Sequence, residues 1–152
     1  MNKLFFLLLF FFSANLSALD APISMNCTIK GVYEVDANGR LDKVSKSKGS
    51  VVESLFEMVG FRKPKGVYID AEGSEFVVNR RTGSYSSKYL KNEDWKKYIL
   101  DFGSKEQSFK LLSTSTGGHM HTQYLQIQLY EDGLLKPFYL IDGTSFFSGI
   151  CN

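Results

Sequence analysis

Several residue types that carry chemistry are scarce in this chain. Among 152 residues there are two cysteines, two histidines, one tryptophan and three prolines. The two histidines, His119 and His121, form a His-x-His around Met120. On a strand that spacing puts both rings on one face, the arrangement that ligates copper, nickel or zinc. Two ligands do not make a site, and there is no third histidine and no spare cysteine, so these are weak candidates and no metal or cofactor is expected. No Cys-x-x-Cys occurs, which argues against a redox-active pair. No Gly-x-Ser-x-Gly occurs either; Gly143-Thr144-Ser145-Phe146-Phe147 lacks the second glycine. Asp70, Glu72 and Glu75 cluster as a carboxylate pair for glycoside hydrolysis would, but acidic residues beside a turn read as a solvated surface. The expectation is that the chain is not an enzyme.

Charge of one sign is also missing. There are 18 basic and 16 acidic residues, which argues against a nucleic-acid binder. The one long apolar run, Leu4 to Phe12, is shorter than the roughly 20 residues a membrane-spanning helix needs. With Lys3 before it and Leu16-Ser17-Ala18 after it, the run has the parts of a cleaved secretory signal over residues 1–18. Ser24-Met25-Asn26 before Cys27 does not resemble a lipoprotein signal, so the mature chain is expected to be unanchored. Residues 19–152 are then one β domain, monomeric, in the periplasm or secreted.

What is present is two cysteines at opposite ends of that mature chain, Cys27 and Cys151. An oxidising compartment makes a disulfide the expected state. The bridge ties the first strand to the last and closes a loop long enough to contribute about 5 kcal/mol in the chain-entropy account.

The body of the chain reads as strand after strand. Met25 to Asp36 alternates, with Cys27, Ile29, Tyr33 and Val35 on one face and Val32 as the exception. Asn38-Gly39, Asp132-Gly133 and Asp142-Gly143 are turn and hairpin signals. Val67 to Ala71 and Glu75 to Asn79 are short apolar runs. Tyr98, Leu100 and Phe102 alternate with Lys97, Ile99 and Asp101. Leu125, Ile127 and Leu129 alternate with Tyr124, Gln126, Gln128 and Tyr130. Pro137 suggests an edge strand or a bulge. Ser50-Val51-Val52-Glu53 is a capping-box pattern opening one short helix over 51–59, closed by Gly60. About eight short strands at regular spacing mean an all-β, mainly antiparallel barrel or sandwich, and a bridge between first and last strands favours a closed up-and-down barrel.

Phe76-Val77-Val78-Asn79-Arg80-Arg81-Thr82-Gly83 resembles the F-x-V-D-R-x-T-G strand-turn of many small exported bacterial proteins of unassigned function. Asn79 stands where that pattern has Asp, and an amide oxygen caps such a turn as a carboxylate does. The resemblance implies no activity. Small exported barrels that inhibit lysozymes are similar in size, compartment and terminal cysteines, at the level of the fold alone.

Two segments stand out as partner surfaces. Arg80 and Arg81 are an anion or carboxylate clamp in form. Tyr85, Tyr89, Trp95 and Tyr98, interleaved with Lys88, Lys91, Lys96 and Lys97, suit stacking and protein contact. The expectation is a non-catalytic binding or inhibitory module acting on an envelope protein. The alternative is a carrier holding a small ligand in a calyx-like lumen.

Overall fold

Alternation of apolar and polar residues turns one face of each strand toward a common interior. The computed structural model, which describes residues 22–44, 68, 70–117 and 121–152, has nine strands, and all but the short, exposed Leu41–Lys43 do this. They are β1 (Ser24–Val35), β2 (Leu41–Lys43), β3 (Glu75–Asn79), β4 (Ser84–Ser86), β5 (Lys96–Phe102), β6 (Phe109–Thr114), β7 (Thr122–Ile127), β8 (Lys136–Asp142) and β9 (Ser145–Cys151). All pair antiparallel in the order β4-β3-β1-β9-β8-β7-β6-β5, and β2 pairs β1 beyond β3. The described residues are all-β, and the eight strands of that path form a nearly closed barrel. The helix expected over 51–59 and the segment 1–18 lie outside the described residues. No helix among the described residues is long and apolar enough to cross a membrane.

First and last strands are neighbours, as the cysteines require. Cys27 of β1 faces Cys151 of β9 and the two form a disulfide. Gly149, two residues earlier in β9, packs under Thr28 and Phe138, where a Cβ would collide with the Thr28 carbonyl oxygen. The barrel's opening lies elsewhere, between β4 and β5, which follow one another in sequence but do not pair.

Two bulges correct the simple alternation. In β1 the register shifts between Ile29 and Gly31, leaving Lys30 as the extra residue. One extra residue inverts the parity beyond it. Val32 therefore points inward and is buried, while Tyr33 turns outward against Phe146 and Val35 is exposed. Val32 is no exception to a pattern; it marks where the pattern is reset. In β5 the shift falls between Ile99 and Asp101. Ile99 packs on the core, and Tyr98 and Leu100 are exposed outside. Pro137 sits on neither an edge nor a bulge. It is the second residue of β8, and its carbonyl accepts the Gln128 N–H (2.8 Å) just past the end of β7. A proline is tolerated at the start of a strand. Tyr68 and Asp70 lie in turns rather than in the strand expected there.

The interior is one contiguous cluster that includes Met25, Ile29, Phe76, Tyr85, Phe109, Leu125, Phe138, Leu140 and Phe147. Its rings meet edge to face, Phe76 on Phe138 at 5.2 Å and Phe76 on Tyr85 at 5.9 Å. That geometry is the favoured one for aromatic quadrupoles.

Candidate functional site

The Phe76–Gly83 segment is a strand and its turn. Asn79 Oδ1 accepts the N–H groups of Arg81 (3.0 Å) and Thr82 (3.1 Å), so the amide caps the turn as expected of it. The following glycine, Gly83, holds φ +70°, and a Cβ there would press into Leu111 at 2.7 Å. Arg80 points into the barrel rather than out of it. Its guanidinium donates to the carbonyls of Pro22 (3.1 Å), Phe102 and Gly103 (3.3 Å), and lies 5.9 Å from the Phe109 ring. Burial pushes its pKa down. Arg80 thus stitches the end of β3 to the end of β5 across the unpaired seam. Arg81 beside it is exposed.

The aromatic–basic stretch divides in the same way. Tyr85 is buried; its backbone N–H bonds Asn92 Oδ1 (2.8 Å) and its hydroxyl donates to Gln123 Oε1. Asn92, buried too, donates to the Gly83 carbonyl and to Ser113 Oγ, both at 2.8 Å, and closes the upper part of the seam. Lys97 is turned to the carbonyls of Asn92 and Glu93. Tyr89 is half-buried under Lys88, whose Nζ sits 5.0 Å from the ring centre. Trp95 is half-buried and stands edge-on to His121, ring centres 5.5 Å apart. So Tyr85 and Arg80 belong to the packed interior, and Tyr89, Trp95 and Arg81 do not join in one surface with them.

His119 lies outside the described residues. His121 Nε2 bonds the carboxylate of Asp142, which is nearly fully buried. Asp142 also accepts from Tyr68 Oη (2.7 Å) and Gln123 Nε2 (3.0 Å). A buried carboxylate needs such donors to remain tolerable. Burial first, and then the bond to Asp142, pushes the Tyr68 phenol well above its ordinary range; burial and the Asp142 charge do the same to Tyr85. Among the described residues no group of three His, Cys, Asp or Glu is placed to hold a metal ion.

The outside of the barrel holds what residue spacing alone did not predict. Cross-strand pairing sets Tyr98, Leu112, Tyr124, Ile141, Phe146 and Tyr33 in one outward row across β5, β6, β7, β8, β9 and β1. On β7, β8 and β9 the outward positions are Thr122, Tyr124, Gln126, Pro137, Tyr139, Ile141, Phe146, Ser148 and Ile150. None of them carries a charge. Tyr139 stacks on Phe146 (5.9 Å, 16° between planes) and Tyr33 meets Phe146 edge-on at 6.0 Å. The hydroxyls of Tyr124 (2.9 Å) and Tyr139 (2.8 Å) both donate to Gln126 Oε1, which fixes the rings.

Comparison with known protein families, curated proteins and solved structures finds no match to this chain. The outer face therefore has to be read from its own chemistry. An antiparallel barrel with a filled interior ordinarily turns polar side chains outward. A charge-free, aromatic-rich face with charged residues at its margin has instead the composition of a protein-interface core. The margin is present here as Lys110 paired to Asp101 (3.9 Å) on one side and exposed Lys30 on the other.

Proposed function

We propose that the chain is an exported, non-catalytic binding module that engages an envelope protein through the outer face of β7, β8 and β9. The observation that carries this is the set of outward positions on those strands, aromatic at its centre and without a charge. Rings already held in place by Gln126 and by one another lose little freedom on docking, which favours binding. The disulfide is compatible with an extracytoplasmic location. The filled interior supports an outward-facing role over that of a small-ligand carrier, because Phe76, Phe138, Phe109 and Phe147 occupy the space a ligand would need.

Native mass spectrometry of the protein drawn gently from its own envelope fraction tests this. The expected result is a discrete protein adduct, lost in Ile141→Arg while the melting temperature stays within a few degrees of wild type, since Ile141 is 40% exposed. A small added mass that survives Ile141→Arg would sink the reading in favour of the carrier.

A further inference from the structure

The β7–β8 connection, residues 128–135, emerges at the disulfide end of the barrel, because Lys136 at its foot pairs with Cys151. It is a fixed structure. The Glu131 N–H bonds the Gln128 carbonyl (3.4 Å), the Leu129 N–H bonds the Ile127 carbonyl (3.1 Å), and Lys136 Nζ donates to the Glu131 carbonyl. Leu129 is buried and wedged on Gly103, where an added Cβ would strike it. Gly133 takes φ +97°, the left-handed conformation that lets the chain reverse.

On this pinned base the crown carries three large apolar side chains away from the core. Leu134 is 90% exposed, Leu135 53% and Tyr130 44%. A turn of this kind is normally built from Gly, Asn, Asp and Ser. Leu134 adds almost nothing to the packing, and both leucines cost solubility. Glu131 and Asp132 stand beside them, both exposed. The nearest cation in sequence, Lys136, is directed at a backbone carbonyl rather than at either carboxylate.

We propose that the crown is an insertion loop that seats Leu134 and Leu135 in an apolar cleft of a protein partner whose rim is basic. A projecting tip fits a concavity and not a flat surface. Two adjacent carboxylates select positive charge around that concavity. The crown grows out of the strands that carry the outer face, so the inference rests on the reading of that face as a protein-binding surface and extends it to the partner's shape and charge. Pre-ordering of its base by the turn bonds lowers the cost of fixing the loop on binding.

Site-specific photo-crosslinking of the full chain in its native envelope decides this. The photoreactive residue p-benzoylphenylalanine replaces Leu134, Ile141 or, as an exposed control on β3, Val77. The expected result is a protein adduct from both 134 and 141 and none from 77. The peptide captured at 134 should hold Lys or Arg beside apolar residues. Reversing both charges (Glu131→Lys with Asp132→Lys) should cut the adduct at 134 by about tenfold or more, since like charges set against each other suppress association. An adduct at 141 with none at 134 would overturn the insertion loop and leave the outer face intact. No adduct at either position would overturn both. An adduct at 134 that is lipid, that maps to an acidic surface, or that ignores the charge reversal in a variant of unchanged melting temperature would also overturn it.

Discussion

Asp142 is a buried carboxylate on which several polar side chains converge. Tyr68, Gln123 and His121 all bond it, and through Gln123 it reaches Tyr85. Burial, and after it the presence of Asp142, raises the phenols of Tyr68 and Tyr85, and burial raises Tyr124 on the outer face. The sign of the consequence follows from linkage. A phenol whose folded pKa exceeds its unfolded value of 10.0 binds its proton more tightly when folded. The stabilisation is complete below about pH 10 and is lost as pH rises through and above that value. Melting temperature is therefore expected to fall steeply above pH 10. Absorbance of tyrosinate in the same range should show a group of the eight tyrosines ionising only as the fold is lost. Smooth titration of all eight near pH 10 with the fold intact would contradict this. Sequence pattern placed Tyr85 on a partner surface, because it opens a stretch in which aromatics and lysines interleave. What it could not register is that Asn92, seven residues on, folds back to bond the Tyr85 backbone and turns the ring inward.

Between elements, the weak place is the seam. β4 has three residues and β5 seven, and no ladder joins them. Side chains do the work of the missing hydrogen bonds. Asn92 closes one end, and Arg80 closes the other by reaching the Phe102 and Gly103 carbonyls. Arg80→Met keeps the stem and removes the donors, leaving the Pro22, Phe102 and Gly103 carbonyls without the guanidinium. An unmet buried acceptor costs about 1–3 kcal/mol. We expect a loss of that order in urea unfolding, together with faster amide exchange confined to β5 and the β5–β6 turn. Exchange that rises evenly over the barrel would mean Arg80 does not act at the seam. This division of labour was only partly legible in the sequence. The positions of β5 and β7 followed from alternation and the β8–β9 hairpin from Asp142-Gly143, whose glycine takes φ +60°. The bulges at Lys30 and Leu100 were hidden, because an extra residue looks like a flaw in the pattern until the partner strand shows where register shifts. The outer aromatic row was hidden for the same reason. Tyr98, Tyr124 and Phe146 are far apart in sequence, and only cross-strand register makes them neighbours.

For the whole molecule, the disulfide acts beside a ladder that already pairs the first strand with the last. Cys27 and Cys151 face each other at one end of a β1–β9 ladder that runs to Glu34 and Ser145. Removing the disulfide should leave the barrel's architecture unchanged and act on the unfolded chain, which regains the freedom of a 124-residue separation. The upper figure for that effect is about 5 kcal/mol, which for a domain of this length corresponds to roughly 15 °C in melting temperature. Cys27→Ser is therefore expected to melt well below wild type in oxidising buffer, with the same barrel circular-dichroism spectrum at low temperature. Reductant should lower wild type to the level of the variant and leave the variant where it is. If wild type and Cys27→Ser melt alike without reductant, the bond is not formed in solution. If the variant loses its β spectrum at low temperature, the β1–β9 ladder cannot hold the barrel shut alone, and the bond is part of the fold rather than a restraint on its unfolded state.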